Sequence, residues 1–349
     1  AERNDFLERA FHVTAGADPT TVDEALARSD GDGWRTAIWA EIHALQDLKC
    51  WQIRPKHEKD SDPHEAKKKL FRSKIVLKSK PPANHMPGRK KARLCISDPK
   101  FLQRFNDLET FSPMCRIETV RFLLSTVVER RWKLGGLDIK NAFPISKLDE
   151  PVWMSVPKFI LDELGPTQPE LYDSYCYVTQ SLYGLSVSPR CWNRHLDAHL
   201  RKHGYFTDDA DACLYMKYDA HGKICIAIAS FVDDCLFGGT EEAIAEFRRI
   251  MKKSEENPTG FAIVDSGVPT DFLALEIEYD ELKGKLKIHH SKYLTKAAER
   301  YGITENTKWE AVPMQYDKRL EPATDADERC DAKLYRSIVG TMVFTAVCV

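Results

Sequence analysis

The sequence predicts an α+β fold, and three observations carry the prediction. Apolar residues recur at helical spacing in some segments and as short unbroken runs in others. The runs are bounded by Gly, Pro, Asn and Asp, as strands and hairpins are. Helical and hairpin segments follow one another in mixed order, without a regular strand–helix alternation. A chain of 349 residues suffices for a large core divided into two or three subdomains.

Taken in order, residues 1–33 form a polar, acidic leader that closes on Asp30-Gly31-Asp32-Gly33, a turn-rich boundary. Trp34, Ile38, Ile42, Leu45 and Leu48 then share one face of an amphipathic helix. Residues 71–77 read as a strand, Pro81-Pro82 and Pro87-Gly88 as a loop, and residues 93–96 as a second strand. Ile117, Val120, Leu123, Leu124, Val127 and Val128 mark a second helix, which runs into a strand over residues 132–139. Gly135-Gly136 inside that strand signals a weak strand, a bulge or the close approach of a ligand. Ser188-Pro189 offers an N-cap followed by Pro at the first helical position, and the helix runs through Trp192, Leu196 and Leu200 to a stop at Gly204. Residues 224–238 read as a hairpin with Asp233-Asp234 at or near its tip, and residues 241–253 as a third helix. Residues 272–278 and 285–289 pair around Lys283-Gly284, and residues 293–301 form a short helix. The apolar stretch 339–349 reads as a core element.

Charge is uneven. The formal net charge of −2 argues against a uniformly basic nucleic-acid-coating protein. Residues 66–93, however, hold eleven Lys and Arg and no Asp or Glu. Such a stripe is either a solvated face or a seat for a phosphate backbone or triphosphate. Ten cysteines occur without a Cys-x-x-Cys pair or a zinc-spaced Cys/His cluster, so they read as reduced core thiols of an intracellular protein. No apolar run reaches transmembrane length, and no membrane partner is expected.

The chemistry-bearing motifs are carboxylates at the ends of apolar runs. Ser230-Phe231-Val232-Asp233-Asp234 ends one run in an acidic pair. Leu137-Asp138-Ile139 ends another in a single Asp, with Phe143 five residues on. Three carboxylates on two buried strands suit two divalent cations held about 4 Å apart for phosphoryl transfer. Taken alone, an Asp pair also suits an ordinary turn, and Phe143 also suits a core position.

The order and dressing of these motifs resemble a copia-type LTR-retrotransposon reverse transcriptase. The most specific string is Leu182-Tyr183-Gly184-Leu185-Ser186-Val187-Ser188-Pro189-Arg190-Cys191-Trp192, with Ser186-Val187 where the family usually has Lys-Gln. Lys91-Ala92-Arg93-Leu94 resembles the family's finger-strand motif; Ser97-Asp98-Pro99-Lys100 after it departs from the usual small, Gly-containing turn. Glu109-Thr110-Phe111-Ser112-Pro113 and Arg116-Ile117-Glu118-Thr119-Val120-Arg121 return to the pattern. Phe272-Leu273-Ala274-Leu275 resembles the primer-grip hairpin, with Ala274 where Gly is usual; a positive φ there would strain Ala. Tyr335-Arg336-Ser337-Ile338-Val339-Gly340 matches the segment that leads toward RNase H.

The resemblance implies a right-hand polymerase fold with fingers, palm and a partial thumb or connection. Fingers and palm would occupy residues 34–284 and a thumb-like connection residues 285–349. It implies Asp138, Asp233 and Asp234 as catalytic residues that, with the Ile139 carbonyl, hold two Mg²⁺, for which Mn²⁺ substitutes. Arg93, Lys91, Tyr183 and Gly184 would bind the incoming nucleotide and template base, and Phe143 would be the steric gate that selects dNTPs. Leu273 and Ala274 would hold the primer end. The implied partners are an RNA template, a DNA template and primer, dNTPs, and the RNase H and integrase regions of the same polyprotein. The implied setting is a cytoplasmic virus-like particle or the nucleus. The alternative is a decayed, transposon-derived relic that keeps the fold and at most binds nucleic acid.

Overall fold

The computed structural model describes residues 18–80, 88–97, 110–308, 324 and 330–348. The Pro81-Pro82 loop, Asp98-Pro99-Lys100, Glu109 and the first 17 residues of the leader lie outside the described residues. The chain divides into two compact units, one of them Thr14–Gly267 and the other holding Val268–Val349.

The larger unit opens with helices α1 (Val22–Ala27) and α2 (Gly31–Asp47), strand β1 (Trp51–Pro55), helix α3 (Lys56–Asp60), and strands β2 (Leu70–Lys80) and β3 (Arg89–Ser97). Trp34, Ile38, Ile42 and Leu45 are buried on one face of α2, as their spacing predicts. The predicted turn at Asp30–Gly33 is instead the start of this helix. A Cβ at Gly31 would collide with the Leu26 carbonyl, so that glycine serves close packing of α1 on α2.

Next come α4 (Ile117–Arg130), β4 (Lys133–Ile139), β5 (Lys147–Ser155), α5 (Lys158–Leu164), β6 (Ser174–Gln180) and α6 (Ser188–Lys202). Gly135-Gly136 does not end β4: the Phe237 ring lies against Gly135, where any Cβ would collide with it. The irregularity sits on the neighbouring strand, in a register shift between Asp265 and Gly267. Ser188 is not the N-cap of α6. The helix starts one residue earlier than predicted, with Val187 in the capping position, and the Ser188 hydroxyl donates to the Leu182 carbonyl at 2.7 Å.

The unit closes with β7 (Phe206–Thr207), β8 (Leu214–Tyr218), β9 (Ile224–Phe231), β10 (Asp234–Gly239), α7 (Glu241–Met251) and β11 (Ile263–Gly267). Thr240 caps α7 by accepting the Ala243 N–H, and Glu241 and Glu242 complement the helix dipole there.

Two sheets result. The first has the order β1-β6-β5-β2-β3 and the second β11-β4-β10-β9-β8-β7. The first packs with α2 around Trp34, Ile38, Phe71, Leu94, Val152 and Cys176. The second packs with α6 and α7 around Leu137, Ile139, Trp192, Phe237 and Phe247. Cys50, Cys115, Cys176, Cys191, Cys213 and Cys235 are buried free thiols, whereas Cys330 is exposed.

The smaller unit holds β12 (Asp271–Phe272), β13 (Leu275–Asp280), β14 (Lys285–His289), α8 (Ser291–Arg300) and α9 (Ala332–Cys348). The predicted strand 272–278 is broken: Leu273 and Ala274, at φ 50° and 67°, turn the chain between β12 and β13. The predicted core element at 339–349 falls in α9, where Met342 and Val343 are 65% and 56% exposed. Lys333, Arg336 and Ser337 keep the first turns of this helix polar, while Met342 and Val343 make its later turns apolar. Phe344 packs on His290 and Tyr293, which covers one stripe and leaves others open. Among the described residues no helix is long and apolar enough to cross a membrane.

Candidate active site

The carboxylates gather where β4 meets the β9–β10 hairpin. Along β4, Leu137 and Ile139 are buried and the intervening Asp138 is half-exposed, as alternation on a strand requires. Asp234 opens β10 and pairs both with Phe231 on β9 and with Asp138 on β4. Val232 and Asp233 are therefore the entire connection between the two hairpin strands. Val232 takes φ 55°, a left-handed conformation that strains a β-branched residue.

Two hydrogen bonds hold this turn. The Ile139 N–H donates to the Asp233 carbonyl at 2.7 Å. The Trp192 indole N–H donates to the Val232 carbonyl at 2.6 Å.

Burial pushes the Asp233 carboxyl above the usual carboxylate range, and the nearby Asp138 carboxylate pushes it further; Arg93 and Lys91 pull it back. Asp233 is thus within electrostatic reach of Asp138 on its own sheet and of two cations on β3. Asp138 and Asp234, as direct cross-strand partners, form a like-charge pair.

Among the described residues no group of three or more His, Cys, Asp or Glu side chains is arranged to hold a metal ion. The donors are nevertheless hard oxygens. Mg²⁺ commonly takes only one or two carboxylates and completes its shell with water and substrate phosphates, so this open set fits it. Asp138, Asp233 and Asp234, with the Ile139 carbonyl, are the groups available to such an ion.

Much of the basic stripe lies on one face of the β2–β3 hairpin. Lys78 pairs with Lys91, Lys80 with Arg89, and Val76 with Arg93. Burial lowers the proton affinity of Lys91, and Arg93 and Lys80 lower it further. Lys90 points to the opposite face and bonds Asp30 at 2.6 Å. The Nε of Arg93 is buried without a hydrogen-bond partner among the described residues. A stacked row of cations with an unsatisfied guanidinium donor suits a bound polyphosphate.

Aromatic contacts tie this face to the rest of the site. The Arg93 guanidinium lies 4.8 Å over the Tyr183 ring, and Tyr183 meets Phe143 edge-on at 5.4 Å. Burial pushes the Tyr183 hydroxyl up to about 12. Tyr183 and β3 also join through the backbone, where the Ile96 N–H donates to the Tyr183 carbonyl at 2.7 Å. Gly184 sits at φ 90°, and a Cβ there would collide with the Ile96 carbonyl.

Of the residues singled out from the sequence, Asp138, Ile139, Asp233 and Asp234 are joined through the β4–β10 ladder and the turn. Phe143, Tyr183, Gly184 and Arg93 are joined by ring and backbone contacts, and Lys91 reaches Asp233 by charge. Leu273 and Ala274 belong to the smaller unit. Two contributors were missed. Glu41 on α2 accepts the Leu94 N–H at 3.2 Å and lies within electrostatic reach of Lys91 and Arg93. By spacing alone Trp192 is a helix-face residue of the family string; an indole N–H on a buried helix face requires a partner, and that is the signal the sequence offers.

Known proteins resemble this chain over most of its length. Residues 61–316 match the family described as reverse transcriptase (RNA-dependent DNA polymerase). The chain is 25% identical over 344 residues to the retrovirus-related Pol polyprotein from transposon TNT 1-94 of Nicotiana tabacum, covering 96% of this chain and 24% of that protein. It is 24% identical over 337 residues to the corresponding polyprotein from transposon RE1 of Arabidopsis thaliana, covering 97% of this chain and 21% of that one. The RE2 polyprotein of the same plant is 25% identical over 343 residues, with 97% and 21% covered. The chain thus spans about a quarter or less of these relatives. With the family match running through most of its length, the chain belongs to the reverse transcriptase (RNA-dependent DNA polymerase) family, in the copia-type retrotransposon branch that its motifs resemble.

Proposed function

We propose that this chain is an RNA-directed and DNA-directed DNA polymerase that adds deoxynucleotides to a primer 3′-hydroxyl. The observation that carries the proposal is the placement of Asp233. It lies beside the Asp138–Asp234 pair and within reach of the cationic β2–β3 face. Carboxylates for cations and cations for a triphosphate are the two halves of a nucleotidyl-transfer site.

In this reading the five-stranded sheet with α2 belongs to the fingers and the six-stranded sheet to the palm. The smaller unit leads toward a thumb and connection. Asp138, Asp233, Asp234 and the Ile139 carbonyl would hold two divalent cations. When bound, Mg²⁺, or Mn²⁺ in its place, supplies Lewis-acid activation of the primer hydroxyl and charge neutralisation at the leaving group. Arg93 and Lys91 bind the triphosphate. Phe143, braced by Tyr183, lies under the deoxyribose and excludes a 2′-hydroxyl. Tyr183 and Gly184 pack the nascent base pair, and the Leu273-Ala274 turn holds the primer end. The 3′-oxygen attacks the α-phosphorus, one phosphodiester bond forms, and pyrophosphate leaves. The protein's contribution is orientation and electrostatics, with no covalent intermediate. The Pol polyprotein names of the relatives support other Pol regions as partners within a longer product, and the motif resemblance implies RNase H and integrase as those regions.

A second reading, a non-catalytic relic, is favoured by Ala274, which occupies a left-handed φ of 67° where the family resemblance expects Gly. Primer extension separates the two. The substrates are poly(rA)/oligo(dT), dTTP and Mg²⁺, run beside the Asp233→Asn/Asp234→Asn double variant. The polymerase reading requires extension by the wild type and none by the folded variant. A folded wild type that extends nothing with either Mg²⁺ or Mn²⁺ favours the relic.

A further inference from the structure

The turn that carries Asp233 is short, strained and held from both sides. Val232 sits at φ 55°. The carbonyl before Asp233 accepts from the Trp192 indole at 2.6 Å, and the carbonyl of Asp233 itself accepts from the Ile139 N–H at 2.7 Å. The first bond fixes the Val232–Asp233 peptide plane. That plane sets the backbone from which the Asp233 carboxylate projects.

Trp192 is well suited to hold that plane. It is 2% exposed, and Phe261 and His195 pack edge-on to it at 5.5 and 6.0 Å. Its own position is fixed by the start of α6. There the Ser188 hydroxyl donates to the Leu182 carbonyl at 2.7 Å, and the Ser112 hydroxyl to the Pro189 carbonyl at 3.2 Å. Leu182 immediately precedes Tyr183. The first turn of α6 is therefore a strut, with the Tyr183-Gly184 segment at one end and the Asp233 turn at the other.

We propose that Trp192 is a positioning residue for nucleotide addition: its indole N–H holds the Val232–Asp233 peptide and so aims the Asp233 carboxylate. The proposal rests on the polymerase reading, because aim matters only where Asp233 acts. Phenylalanine at this position would fill most of the space and donate nothing. The indole N–H, beyond the apolar bulk, is what the site requires.

The test is Trp192→Phe in the full chain, with three readouts. The variant should lose about ten- to hundredfold in kcat for dTTP, with KM for dTTP little changed. Half-saturating Mg²⁺ should rise, and Mn²⁺ binding followed by electron paramagnetic resonance should weaken. Hydrogen–deuterium exchange should accelerate in residues 231–236 and stay unchanged in β2 and β3. Wild-type exchange and Mn²⁺ affinity in the variant would overturn the proposal. So would uniformly faster exchange with unchanged Mn²⁺ affinity, which marks a merely structural tryptophan. Should Trp192→Phe fail to fold, benzothienylalanine at position 192 preserves the ring shape without the N–H and takes the same readouts. A wild type that extends no primer sinks the polymerase reading alone, since exchange and Mn²⁺ binding still decide whether Trp192 aims the turn.

Discussion

Asp138 stands directly across the β4–β10 ladder from Asp234, the first residue of the returning hairpin strand. Like charges in that relationship destabilise a sheet. A fold that keeps both next to a half-buried Asp233 holds a repulsion that a bound cation would relieve.

Removing one charge should therefore stabilise the cation-free protein. Asp138→Asn is expected to raise its unfolding free energy by about 0.2–1 kcal/mol in EDTA. Mg²⁺ should stabilise the wild type and not the variant, since a ligand that binds only the folded state adds to its stability. Thermal melts with and without Mg²⁺ measure both effects. A variant less stable than wild type in EDTA would contradict the repulsion argument.

Gly184 should tolerate no side chain. Its φ of 90° and the contact with the Ile96 carbonyl leave no room for a Cβ. Gly184→Ala is expected to lose about 2 kcal/mol or more. It should also loosen the Ile96–Tyr183 hydrogen bond. A shift of the urea midpoint checks the first effect and amide exchange at Ile96 the second.

The opposite substitution should help in the smaller unit. Ala274, at φ 67°, is the second of two left-handed residues between Phe272 and Leu275. Ala274→Gly removes a Cβ penalty of about 1 kcal/mol, partly offset by added freedom in the unfolded chain. Denaturant unfolding should show a net gain, and a loss would mean that the Ala methyl packs favourably.

Acid should weaken the protein below neutrality. His195 and His199 lie along one side of α6, and His203 caps its C-terminal end. Burial lowers the proton affinity of all three from the ordinary value of 6.5, and Lys202 and Lys217 lower that of His203 further. A depressed histidine favours the neutral folded form. The stability is present above 6.5 and is lost as the pH falls through the depressed folded values. Melting temperature should fall as the pH drops below 6.5, and His203→Gln should flatten part of that slope. The same slope in the variant would contradict this assignment.

The elements around the site were largely legible in the sequence. Helical periodicity placed Trp34, Ile38, Ile42 and Leu45 on the buried face of α2. The apolar run before Asp233-Asp234 signalled the β9–β10 hairpin, although its two-residue connection is Val232-Asp233 and Asp234 already belongs to β10. Tertiary contacts were not legible. Glycines at 31 and 135 looked like breakers, yet each serves close packing, against Leu26 and Phe237. Ser188 looked like a cap, yet its hydroxyl serves Leu182. The bond from Trp192 to Val232 spans forty residues, which no local pattern encodes. The cross-pairing of Lys78 with Lys91 follows from hairpin register, which composition alone does not set.

The most direct test of the account is sugar selection at the primer end. Single-nucleotide incorporation would be measured with dTTP and UTP on one primer–template, for wild type and Phe143→Val. The account predicts a dTTP preference of about a hundredfold or more in the wild type, falling toward unity in the variant while dTTP use persists. Equal use of UTP by the wild type, or an unchanged preference in Phe143→Val, would contradict the placement of Phe143 under the sugar and with it the assembled site.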